Sequence, residues 1–113
     1  MTTGKMLIDG AWLEGSGAEH IDVENPATRE IMGRVPVSSD ADIDGAVTAA
    51  HRAFTEWSLL SPEKRAGYLL KGCDLVLQRQ DEIARTMTAE QGKPLDEARG
   101  EARKGADILR YYA

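Results

Sequence analysis

Apolar and polar positions along the chain fall into two regimes that meet near residue 38. In the first, short apolar runs alternate with turn-forming residues. Met6-Leu7-Ile8 runs into Asp9-Gly10, a pair that tolerates positive φ at both positions, and Ala11-Trp12-Leu13 follows, so the pattern predicts a tight hairpin. Glu14-Gly15-Ser16-Gly17 breaks the run. His20-Ile21-Asp22-Val23 then alternates with the two-residue period of a half-buried strand. Asn25-Pro26-Ala27-Thr28 reads as a turn, and Ile31-Met32-Gly33-Arg34-Val35-Pro36-Val37 as a further strand. Pro36 has no N–H to give a ladder, so that strand lies at an edge or ends there.

In the second regime the period lengthens to that of helices. Ser39 caps the first, and Asp42 three residues on completes a capping-box pattern. Ile43, Ala46, Val47, Ala50, Ala53, Phe54 and Trp57 recur at helical spacing and define one apolar face. Leu59-Leu60 breaks the spacing, and Ser61-Pro62 supplies an N-cap followed by proline at the first helical position. The second helix carries Ala66, Leu69, Leu70, Cys73, Val76 and Leu77 on one stripe. A third begins around Asp81-Glu82, turns Ile83, Ala84 and Met87 inward, and stops at Gly92. A fourth starts at Pro94 and carries Leu95, Ala98, Ala102, Ala106, Leu109 and Tyr112. Gly67, Gly72, Gly100 and Gly105 fall inside these helices, each costing up to ~1 kcal/mol relative to alanine, a cost that is reasonable where helices approach closely. The pattern therefore predicts an α+β chain, with N-terminal β-hairpins and turns over residues 1–38 and about four helices over 39–113. The last apolar stripe is still running at Leu109-Arg110-Tyr111-Tyr112-Ala113, with no Gly or Asn cap and no proline stop, which leads us to expect a chain that has been cut.

Composition narrows the classes of function. The 113 residues carry 14 Lys and Arg against 19 Asp and Glu, a net charge of −5, whereas binding nucleic acid needs a surplus of cations on one face. No apolar run nears the ~20 residues that would span a bilayer, and the first residues lack the pattern of a signal peptide. One cysteine excludes an internal disulfide framework and any multi-cysteine metal site, so the expected compartment is the reducing cytoplasm.

Candidate chemistry is sparse. Cys73 falls mid-helix on the apolar stripe, where a small buried hydrophobe is the better reading than a nucleophile with a stabilised thiolate. His20 and His51 have no second ligand at metal spacing. Gly15-Ser16-Gly17 lacks the third glycine of a dinucleotide fingerprint, because position 20 is His20 and a strand follows instead of a helix. Glu97, Glu101, Arg99 and Arg103 read as a solvated helix face with weak ion pairs. The break Glu90-Gln91-Gly92-Lys93-Pro94 has an adequate structural account, with Gly92 ending one helix and Pro94 opening the next at its N1 position.

The residues also carry a family resemblance. Leu7-Ile8-Asp9-Gly10-Ala11-Trp12, Val23-Glu24-Asn25-Pro26-Ala27-Thr28 and Gly33-Arg34-Val35-Pro36 resemble the N-terminal region of aldehyde dehydrogenases. So do Ala46-Val47-Thr48-Ala49-Ala50-His51-Arg52-Ala53-Phe54 with Trp57, and most specifically Met87-Thr88-Ala89-Glu90-Gln91-Gly92-Lys93-Pro94-Leu95-Asp96-Glu97-Ala98 with Glu101. The similarity is greatest to the succinate-semialdehyde dehydrogenase branch. It implies that residues 1–113 are an incomplete N-terminal part of the family's α/β dinucleotide-binding domain. It further implies NAD- or NADP-dependent oxidation of an aldehyde, such as a semialdehyde, to a carboxylic acid by a homo-oligomeric full-length enzyme. In the family a cysteine thiolate attacks the aldehyde, hydride passes to the nicotinamide, and a glutamate assists hydrolysis of the thioester. Those residues lie downstream of the matched region, and Cys73 does not match the nucleophile's motif. The expectation is thus no catalytic and no cofactor-binding residue in this chain, and no cofactor bound by it alone. A structural monovalent cation is implied at Val23, Glu24 and Glu90, through backbone carbonyls at the first two and the carboxylate of the third. Read from the residues alone, Glu90 is a helix-end carboxylate. By the same resemblance Arg103 or Lys104 would approach an acidic substrate, against the plain reading of two surface cations. The alternatives to an inactive enzyme part are a free-standing interaction module derived from the family, and a short chain that pairs with a separately encoded remainder.

Overall fold

A computed structural model describes residues 2–113 of the chain, Thr2 by its backbone alone. The residues form two compact units, one reaching Leu59 and the other spanning Leu60–Ala113. The change from strands to helices falls between Pro36 and Asp40, whereas the units divide after the first helix.

Five short strands build the first unit: β1 (Thr2–Thr3), β2 (Met6–Ile8), β3 (Ala11–Leu13), β4 (His20–Glu24) and β5 (Ile31–Pro36). β2 and β3 pair as the predicted hairpin, with Met6 opposite Leu13 and Ile8 opposite Ala11. The turn between them forms because Asp9 and Gly10 both take positive φ, 53° and 77°, which matches the twist of the flanking strands. A second sheet has the order β1-β5-β4, with β1 parallel and β4 antiparallel to β5. The β4–β5 connection is built by Asn25, whose Oδ1 accepts from the Ala27 N–H at 2.9 Å while its carbonyl accepts from the Arg29 N–H at 2.8 Å. β5 is the middle strand and ends at Pro36, as the missing N–H requires.

Helix α1 (Asp40–Trp57) completes this unit, capped by Ser39 and Asp42 in the predicted capping box. Its apolar face exists but lacks cover. No residue of α1 is buried, and Ile43, Val47 and Phe54 are 51%, 64% and 61% exposed. Arg52 reaches the turn of the hairpin, with Nη2 2.6 Å from Asp9 Oδ2. A hollow of about 360 Å³ lies between Leu7–Gly10 and the small side chains Ala46, Ala49, Ala50 and Ala53.

The second unit is three helices: α2 (Pro62–Gln78), α3 (Gln80–Gln91) and α4 (Leu95–Tyr112). Ser61 caps α2 with Pro62 behind it, as predicted. α4 packs against both α2 and α3. Its buried face is Ala98, Ala102 and Ala106, spaced every four residues, and Cys73 and Ala84 meet the same core from α2 and α3. A core of such small side chains brings helices close. Two boundaries differ by one residue from the sequence reading: α3 opens at Gln80, with Arg79 capping both the end of α2 and the start of α3, and Pro94 is the N-cap of α4 instead of its first helical residue. Leu70 and Tyr112, placed by periodicity on inward stripes, stand 44% and 74% exposed, because the core covers only a narrow strip of each helix. Close approach within this chain requires none of the four interior glycines: an added Cβ at Gly72 would make an ordinary contact with Leu109 Cδ1 at 3.7 Å, and Gly67, Gly100 and Gly105 face open space.

Candidate functional site

The densest polar cluster lies at the N-terminus of α1. Asp42 Oδ2 accepts from the Ser39 N–H at 3.0 Å and from the Ser16 N–H at 3.2 Å. Ser39 Oγ lies 2.9 Å and Ser16 Oγ 3.0 Å from the same oxygen, and the two hydroxyl oxygens are 2.6 Å apart. The backbone N–H of Ser39, then that of Ser16, then the Ser39 and Ser16 hydroxyls hold the Asp42 carboxyl at about 2, below its ordinary 3.8. Each donor prefers the ionised acid. All these contacts fall on one carboxylate oxygen, which fastens the 15–17 loop to α1.

The cluster also decides what the glycine-flanked loop can bind. A pyrophosphate needs free N–H groups at a helix N-terminus. Here the Asp42 carboxylate fills that position on α1, and Gly15-Ser16-Gly17 leads into β4. The first turns of α2, α3 and α4 likewise carry Glu63, Asp81 and Glu82, and Asp96 and Glu97. Such first-turn acids complement the helix dipole and set a like charge beside any approaching phosphate.

The remaining candidates are dispersed. Cys73 is 1% exposed in the core of the second unit, with no disulfide partner. His20 is exposed, with Nδ1 3.1 Å from the Ala18 carbonyl oxygen, and His51 is exposed on α1. Val23 and Glu24 end β4 in the first unit, where the ladder register shifts between them, and the Glu24 carboxylate pairs with Arg29 at 2.8 Å. Glu90 is exposed near the end of α3 in the second unit. Among the described residues, no group of three or more His, Cys, Asp or Glu side chains is placed to hold a metal ion.

The turn after Glu90 is built as its residues require. Gly92 closes α3 in the left-handed region at φ 73°, its N–H donating to the Thr88 carbonyl at 2.9 Å. Lys93 forms an ion pair with Glu101 on α4. Arg99 bridges α3 and α4, with Nε 2.7 Å from Asp81 Oδ1 and Nη1 2.9 Å from Asp96 Oδ1. The hydrogen bond and charge of Arg99 push the Asp81 carboxyl down. None of these pairs includes Glu97 or Arg103, so the predicted face is laced by different partners. Lys104 lies with Gly100, Glu101, Gly105 and Ile108 along an open groove on α4. Sequence reasoning missed the ties of Ser16 to Asp42, Arg52 to Asp9 and Arg99 to Asp81, because partners 18 to 43 residues apart leave no periodic signal.

The sequence model of the aldehyde dehydrogenase family matches residues 12–113. The chain belongs to that family. It is 43% identical over 105 residues to a glutarate-semialdehyde dehydrogenase of Pseudomonas aeruginosa, covering 93% of this chain and 22% of the relative. Over 107 residues it is 41% identical to an NADP-type succinate-semialdehyde dehydrogenase of Escherichia coli, covering 95% of this chain and 22% of that enzyme. The fold superposes on the solved NADP-dependent glyceraldehyde-3-phosphate dehydrogenase of Bacillus halodurans in complex with NADP. The TM-score is 0.94 at 28% identity, over 96% of this chain and 23% of that one. This aldehyde dehydrogenase chain thus spans about a fifth of the length of the relatives it matches. It corresponds to their N-terminal region, and its α+β arrangement is a part of their fold. Among its described residues no helix is long and apolar enough to cross a membrane.

Proposed function

We propose that these residues are the N-terminal part of an NAD- or NADP-dependent dehydrogenase that oxidises an aldehyde bearing a second acidic group, such as succinate semialdehyde, to the carboxylic acid. The observation that carries this reading is the match of nearly the whole chain to two enzymes named for dicarboxylate semialdehydes. On this reading the chain is inactive alone, and the cofactor and the aldehyde are bound outside it. Two features support that division: the N-terminus of α1 is occupied by its own Asp42 carboxylate, and the one cysteine of the chain is buried. The role left to these residues is to frame the enzyme. The surface favours that role over a free-standing module. Among the described residues the buried apolar core is Cys73 and four alanines, while Trp12, Val47, Phe54 and Leu59 are each more than 60% exposed. Cytoplasmic location and homo-oligomeric assembly of the longer protein belong to the same reading.

A chimera tests it. In the Escherichia coli succinate-semialdehyde dehydrogenase, this chain would replace the region it matches. The chimera is expected to fold and to reduce NADP⁺ in the presence of succinate semialdehyde. A soluble, folded chimera without that activity would overturn the assignment to this branch.

The structural cation completes the proposal, with the carbonyls of Val23 and Glu24 and the carboxylate of Glu90 as ligands. Hard oxygen donors suit such an ion, and the register shift at Val23–Glu24 marks a departure from the regular ladder there. The melting temperature of the same chimera should rise in potassium or sodium chloride relative to choline chloride. Glu90→Ala should remove that difference, and an undiminished difference would exclude Glu90 as a ligand.

A further inference from the structure

We draw no further inference here: the strongest candidate, the exposed apolar face of α1 formed by Ile43, Val47 and Phe54 beside the hollow over the β2–β3 hairpin, is unpartnered, and nothing in the structure shows what covers it.

Discussion

Asp42 is the residue on which most local order in the first unit converges, since it completes the cap of α1 and fastens Ser16 to it. Removing the capping hydroxyl with Ser39→Ala should cost about 1 kcal/mol, measured by chemical denaturation of the chimera followed by circular dichroism. The pH dependence has a definite sign. The folded carboxyl titrates at about 2 against an ordinary 3.8, so its contribution is complete above that ordinary value and fades as the pH falls toward about 2. Asp42→Asn should flatten that acid limb in a series of melts. A limb of unchanged depth would place the acid sensitivity elsewhere. The capping box was legible because Ser39 and Asp42 stand three residues apart. Ser16 was not, because its partner lies 26 residues away and only the fold brings the two together.

At the scale of elements, the strands and helices follow chemistry written within a few residues. Asp9-Gly10 makes its turn, Asn25 builds the connection after β4, Ser61-Pro62 opens α2, and Gly92 closes α3 in the left-handed region. Periodicity located each helix, yet it overstated how wide a face is covered, as Leu70 and Tyr112 show. The width of a buried strip depends on the neighbours, and a sequence does not state them. α4 offers a contrast within one helix. Gly100 and Gly105 face open space, so Gly100→Ala should stabilise the chain by up to ~1 kcal/mol through helix propensity. Ala106 is fully buried, so Ala106→Leu should destabilise it by roughly 1–3 kcal/mol through overpacking. Denaturation midpoints of the two variants should move in opposite directions, and a shift in the same direction would contradict this packing of α4.

At the scale of the whole molecule, family membership was legible where fold-wide burial was not. The run from Met87 to Ala98 with Glu101 carries a specific order of turn, charge and helix-start residues, and the family match covers it. The exposed face of α1 was readable as apolar but not as uncovered, since the 3.6-residue period reports a stripe and says nothing of its partner. Chemistry is where the two scales meet. The chain carries a single cysteine, which the structure buries, and an α1 N-terminus already capped by Ser39 and Asp42. The central claim is that these residues identify a dehydrogenase without performing its reaction. Its most direct test is aldehyde-dependent reduction of NAD⁺ or NADP⁺ by the purified 113-residue chain, with succinate semialdehyde as substrate. The account predicts no rate above the protein-free control; a rate that copurifies with the chain and is lost in Cys73→Ser would contradict it.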